Sequence, residues 1–162
     1  MKTFIGIDNG VSGSIGIINE RGSKFISVPC FTEQSYTMKK QNISRVDHEE
    51  MRTIFSEFLG KDCIVLIERP MVNPGRFKAT VSALRALESV LITVEQFQLA
   101  YQYIDSKEWQ KVLLPKGSKG AELKTYSKQI GKRMFPQYSE IIDKHGDADG
   151  ILIAEYCRRK FK

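Results

Sequence analysis

The chain has 162 residues, which suits one domain of ordinary size and leaves little room for a second. At 41% hydrophobic and 27% charged residues it has a globular composition, which excludes a disordered tail, a collagen-like chain or a low-complexity chain. The formal net charge is +6, and no apolar run approaches the roughly 20 residues that span a bilayer, so an anionic partner is expected rather than a membrane.

The start, Met1-Lys-Thr-Phe-Ile-Gly-Ile-Asp8, puts a carboxylate too early for a signal-peptide core. Cys30, Cys63 and Cys157 are scattered and form no CxxC pair. An odd, scattered set argues against a disulfide framework or a structural zinc site. A cytoplasmic chain with reduced thiols is the expectation.

Phe4–Asp8 reads as a short strand with glycines bracketing its end. Ser14–Asn19 and Phe25–Val28 follow as two further strands joined by tight turns, an antiparallel meander. Residues 32–45 are polar without a clear period and read as a loop. Asp47–Leu59 reads as a helix, with Asp47 as N-cap, Glu50 in capping-box position and Gly60 as its stop. Cys63–Glu68 is a continuous apolar run closed by an acid, as in a central strand buried on both faces.

Arg76–Phe97 predicts a long helix, with Phe77, Val81, Leu84, Leu87, Leu91 and Val94 at helical spacing. Its Ala79, Ala83, Ala86 and Ser89 side is small enough for close packing, including a two-fold interface. Leu99–Ile104 is the next strand. Ser106 would cap a helix over Lys107–Leu114, with Trp109 packed on the sheet. Lys116–Gly120 is a basic loop, and Ala121–Met134 and Ala148–Arg159 are the last two helices. Three antiparallel strands followed by βαβ crossovers predict a mixed five-stranded α/β sheet with helices on both faces, over residues 1–162 as a single domain.

The positive charge is concentrated. Between Ser106 and Arg133 stand Lys107, Lys111, Lys116, Lys119, Lys124, Lys128, Lys132 and Arg133 against only Glu108 and Glu122. The rest of the chain is neutral, so one segment carries the whole excess and suits a polyanion.

Acids stand where an apolar core should end. Asp8 and Glu68 close buried strands, and Asp147 and Asp149 open the last helix. Such carboxylates need compensation, and a divalent cation supplies it. Carboxylates converging from different elements make the hard oxygen site that Mg²⁺ or Mn²⁺ prefers. Two such ions about 4 Å apart can activate water and stabilise a leaving oxygen in phosphodiester cleavage. His145 stands beside them as a ligand or a proton carrier.

The segment Phe4-Ile-Gly-Ile-Asp-Asn-Gly-Val-Ser-Gly-Ser-Ile-Gly resembles the first-strand motif of RuvC-type Holliday-junction resolvases. Leu66-Ile-Glu-Arg-Pro resembles that family's second acidic strand, and Ala148-Asp-Gly-Ile-Leu-Ile-Ala its closing helix. Asn73-Pro-Gly-Arg-Phe-Lys and Lys107-Glu-Trp-Gln-Lys are similar to phage-type members. Asn9 and Gly150 depart from the family pattern, which has proline and alanine there.

The resemblance implies a ribonuclease-H-like fold and a homodimeric, metal-dependent endonuclease. It implies paired nicks in four-way DNA junctions that leave 5′-phosphate ends, with two Mg²⁺ ions as cofactor and Mn²⁺ as a substitute. Asp8, Glu68 and Asp149 match the catalytic, metal-binding carboxylates. Asp147 is favoured over His145 as the fourth group, because a residue just before a helix can swing toward a site that an i,i+2 pair inside the helix could not share.

DNA contacts are expected first from Lys107, Lys111, Lys116 and Lys119, then from Lys124, Lys128, Arg76 and Lys78, with Tyr36 or Phe77 as a wedge at unpaired bases. The alternatives are a less selective flap or fork nuclease of the same fold and a non-catalytic junction-binding protein. An actin-like ATPase would need a second domain, for which this chain is too short.

Overall fold

The computed structural model describes residues Met1–Lys162. Strands β1 (Thr3–Ile7), β2 (Ser14–Asn19) and β3 (Gly22–Ser27) form the antiparallel meander. Two short strands follow, β4 (Cys30–Gln34) and β5 (Asn42–Val46), then helix α1 (His48–Ser56), strand β6 (Cys63–Glu68) and helix α2 (Phe77–Gln96). Strand β7 (Ala100–Ile104) leads to α3 (Ser106–Leu113), α4 (Ala121–Met134), α5 (Ser139–His145) and α6 (Asp149–Phe161).

The main sheet has the order β3-β2-β1-β6-β7, with β1, β6 and β7 parallel. The predicted mixed sheet is therefore present, with the crossovers placing helices on both faces. Strand residues alternate between two cores. Ile5, Ile7, Ile15, Ile17, Val65 and Ile67 face the side that also buries Met51, Phe55 and Val90 of α1 and α2. Phe4, Ile18 and Leu66 face the other side, against Trp109, Ile142 and Ile151–Ala154. Asp8 and Glu68 follow the parity of Phe4 and Leu66, so both belong to the α6 side.

Glycines decide how close α6 comes. Gly6 and Gly16 are cross-strand partners on β1 and β2. A Cβ on Gly6 would fall 2.2 Å from the Ala154 nitrogen, and one on Gly16 would fall 2.3 Å from the Ile151 Cα. Gly150 returns the contact, since its Cβ would meet the Ser14 carbonyl oxygen at 2.5 Å. The helix thus rests backbone on backbone across the two strands.

Four sequence expectations change. Residues 32–45 contain much of a separate two-stranded sheet, β4 with β5, rather than an unstructured loop. Most of its residues are exposed on both faces, so no hydrophobic alternation marks it. The α3 cap is Asp105, not Ser106: Asp105 and Glu108 form a reciprocal capping box. Helix α5 is an additional element of seven residues with only Ile142 buried, too short to show a period.

The apolar repeat of α2 also runs past its buried part, with Leu87, Leu91 and Val94 on the core as predicted. Ala86, Val90, Thr93 and Val94 are buried, whereas Phe77 and Leu84 are exposed. Of the alanine side only Ala86 is buried; Ala79 is exposed and Ala83 and Ser89 are half-buried.

Gly6→Ala should force α6 off the sheet. An expected loss is about 3 kcal/mol, the upper end of ordinary overpacking. At about 2–4 °C per kcal/mol for a chain of this size, that lowers the melting temperature by roughly 6–12 °C in calorimetry.

Candidate active site

Parallel pairing of β1 with β6 brings Asp8 and Glu68, each at a strand's C-terminal end, side by side. The glycine contact with α6 brings Asp149, its first residue, over the same point. Carboxylate oxygens of Asp8, Asp147 and Asp149 all lie within 4.8 Å of one another. Three of the sequence-predicted acids therefore converge from β1 and from the start of α6.

Glu68 stands next to this trio rather than in it. Its Oε2 accepts a 2.7 Å hydrogen bond from the indole N–H of Trp109. Its charge still reaches Asp8 and Asp149 and raises the pKa of both. His145 sits behind Asp147, with Nε2 3.5 Å from Oδ1. The other ring nitrogen of His145 is 2.9 Å from the Ser27 hydroxyl, and the ring meets Phe25 edge-on. Among the two candidates for the fourth position, the trio contains Asp147, and His145 contacts the trio through it.

Two serines that support the site carry no mark in the sequence. Ser127, buried on α4, donates to Asp149 and accepts from the Ala148 N–H at 3.0 Å. The Ser14 hydroxyl accepts from the Gly150 N–H at 3.0 Å. Lys124 lies 3.7 Å from Asp147, the one cation paired with the trio.

Burial and mutual repulsion push these acids upward. Asp8 is raised well above the usual range, first by burial and then by Asp149, Glu68 and Asp147. Asp149 is raised to about 7 by burial and by Asp147, against the opposing Ser127 hydrogen bond. Glu68 is raised by burial, and the Trp109 bond offsets part of it. Hard oxygen donors, partly buried and repelling one another, suit a divalent cation such as Mg²⁺ or Mn²⁺.

A groove of about 1010 Å³ runs from Glu68 between α2 and α3. Its walls include Lys107 and Lys111 on one side and Arg76, Ala79 and Ala83 on the other, with Arg69 near its floor. Arg69, which follows Glu68, is paired there with Asp105 at 3.3 Å. A second hollow, lined by Lys107, Lys111, Lys116 and Lys119, adjoins it. Lys78 is exposed beside Arg76 at the start of α2. Lys128 is half-buried and already paired with Asp143 at 3.2 Å, as is Lys132 at 2.6 Å. Of the predicted DNA contacts, Lys124 and Lys128 are thus engaged within the chain.

The raised carboxyl of Asp149 has a consequence for stability. Between its ordinary value of 3.8 and about 7, the folded chain holds more protons at this site than the unfolded chain. Its contribution to unfolding free energy then falls as pH rises through that window. Without added cations, Asp149→Asn should be more stable than the parent at pH 8, and the difference should vanish near pH 4. Calorimetry in EDTA tests this, with about 2–4 °C expected per kcal/mol of repulsion removed. Adding Mg²⁺ at pH 8 should raise the parent's melting temperature and leave Asp8→Asn unmoved.

No protein-family model matches the chain, and no curated protein matches it by sequence. Solved structures do match. RuvC of Thermus thermophilus in complex with a Holliday junction substrate superposes with a TM-score of 0.64 at 11% identity, over 99% of this chain and 97% of that one. A second Thermus thermophilus RuvC structure gives a TM-score of 0.52 at 14% identity, over 98% and 96% of the two chains. At such identities the likeness speaks for architecture, and that architecture extends over nearly the whole chain. The chain therefore carries a RuvC-type, ribonuclease-H-like fold.

Proposed function

We propose that this chain is a divalent-metal-dependent endonuclease that cuts four-way DNA junctions by paired nicks. The observation that carries the reading is the carboxylate trio of Asp8, Asp147 and Asp149, with Glu68 beside it at the head of a basic groove. The fold shared with a protein solved on a Holliday junction substrate supports it.

Asp8, Glu68, Asp147 and Asp149 would hold two cations, Mg²⁺ or Mn²⁺. Bound there, the ions supply Lewis acidity that activates water and stabilises a leaving oxygen. Asp8, within 4.8 Å of Asp149 and on the strand beside that of Glu68, would help to hold both ions. Ser127 fixes the Asp149 carboxylate, and the α6 backbone adds the positive end of a helix to the site. His145, with Nε2 3.5 Å behind Asp147 Oδ1, would relay a proton. Attack in line with the scissile bond would leave 5′-phosphate and 3′-hydroxyl ends.

The groove would hold the strand being cut. Lys107 and Lys111 contact its phosphates, with Arg76, Lys78, Lys116 and Lys119 continuing the track. Phe77 is 73% exposed at the start of α2, between Arg76 and Lys78, and lines a separate hollow with Tyr36. An aromatic ring flanked by cations can stack on a base freed at a branch point, a contact worth about 1–3 kcal/mol. Tyr36 offers a second exposed ring, beside Arg85.

Paired nicks require two sites related by a two-fold axis. A homodimer would use the exposed side of α2, where Leu84 and Ile92 stand free. No helix is long and apolar enough to cross a membrane.

A strand-labelled junction, incubated with Mg²⁺ beside a linear duplex and a flap, tests the proposal. Symmetric cuts in the junction alone are expected, and Asp8→Asn should lose several orders of magnitude in rate while still binding. Equal cutting of the flap would point to a less selective branched-DNA nuclease, and binding without cutting to a junction-binding protein. Each phosphate contact contributes about 0.9 to the slope of log affinity against log salt. Lys107→Ala with Lys111→Ala should therefore lower that slope by about 1.8.

A further inference from the structure

We propose that Trp109 is a positioning residue: its indole N–H holds one oxygen of Glu68 so that the other is presented to the carboxylate trio, and α3 ties that carboxylate to the wall of the basic groove. The inference rests on the reading of the trio as a divalent-cation site.

Trp109 is fully buried, the bulkiest of the completely enclosed side chains. A buried indole needs an acceptor for its single N–H. Here the acceptor is Glu68 Oε2 at 2.7 Å, a carboxylate at the end of a central strand. A bond to an ionised acceptor is stronger and more directional than one to a carbonyl. It consumes one oxygen of Glu68, and the chain engages the other in no hydrogen bond.

Helix α3 has two faces with two tasks. Trp109 and Leu113 are buried, four residues apart. Lys107 and Lys111, also four apart, are exposed and line the groove that has Glu68 at its head. The start of α3 is bound to the end of β6 by further links. Asp105, the α3 cap, pairs with Arg69 at 3.3 Å, and the Arg69 N–H donates to the Ile104 carbonyl at 2.9 Å. Arg69 directly follows Glu68. A phosphate held by Lys107 and Lys111 would therefore bear on the same short helix that sets the Glu68 carboxylate. Backbone engagement and carboxylate placement become one mechanical unit.

The chain has a single tryptophan, so its emission reports this site alone. Mn²⁺ is titrated into the protein without DNA, with fluorescence and calorimetry read together. The expected result is a saturable change in Trp109 emission in the parent that is absent in Asp8→Asn. Two replacements then separate the hydrogen bond from the packing. Trp109→Phe removes the donor and some volume. Trp109→β-(3-benzothienyl)-alanine keeps the ring shape and has sulfur in place of the N–H.

Both should bind Mn²⁺ more weakly by roughly 10–100-fold, the usual cost of losing an outer partner of a metal ligand, with junction affinity in EDTA unchanged. Binding by the benzothienyl variant within about twofold of the parent, against that 10–100-fold expectation, would overturn the positioning role alone. Absence of Mn²⁺ binding in the parent would overturn the cation-site reading, and this inference with it.

Discussion

The distance between α6 and the sheet governs the rest of the molecule. Side chains normally hold a helix about 10 Å from a sheet, the spacing of stacked layers. Here Gly6, Gly16 and Gly150 remove them at the point of contact, and any added Cβ would meet backbone at 2.2–2.5 Å. That absence lets the first turn of α6 reach the open ends of β1 and β6. Ser14 then bonds the Gly150 N–H, and Ser127 reaches both Ala148 and Asp149. A helix held at ordinary distance would leave Asp149 in solvent and Asp8 alone.

The trio contrasts with the other acids of the chain. Glu155 is buried but held by Arg158 and Arg159 at 2.7–2.8 Å, which keep its carboxyl below its ordinary value. Asp143 is flanked by Lys128 and Lys132 and is likewise lowered. At the site, only Lys124 stands by, and Asp8, Glu68 and Asp149 are all raised. The chain thus satisfies acids with fitted cations where they serve structure. Where β1 meets α6 it leaves charge uncompensated, although cations line the groove a short way off. That pattern favours function over stability.

Much of this was legible in the sequence because the signals were strong and local. An acid closing an apolar run announces itself, and Asp8, Glu68 and Asp149 each stand at an element's end. The carboxylates' convergence could be expected from the parallel order of the strands. Other features had no such signal. Trp109 on an apolar helix face reads as packing, since nothing in its neighbours says where the N–H goes. Ser127 lies 22 positions from Asp149 and is joined to it only by the fold. The apolar repeat of α2 misled because Phe77, Val81 and Leu84 extend it beyond the buried part of the helix. The β4–β5 hairpin was hidden because strands wet on both faces lose the alternation that identifies them.

That hairpin forms a sheet of its own, outside the five-stranded one. It leans on α2, where the Arg85 guanidinium donates to the Ser44 carbonyl, and only Ser35 and Val46 among its residues are buried. Its opening would expose little apolar surface and break few ties to the central sheet. In the language of native-state hydrogen exchange, it is a low-free-energy unit, exchanging through local excursions. Strands β1 and β6, locked under α6, exchange only when the whole molecule unfolds. Substitutions at the hairpin should therefore cost less stability than substitutions in the strands that bear Asp8 and Glu68. The molecule pairs a rigid chemical centre with a margin free to adapt.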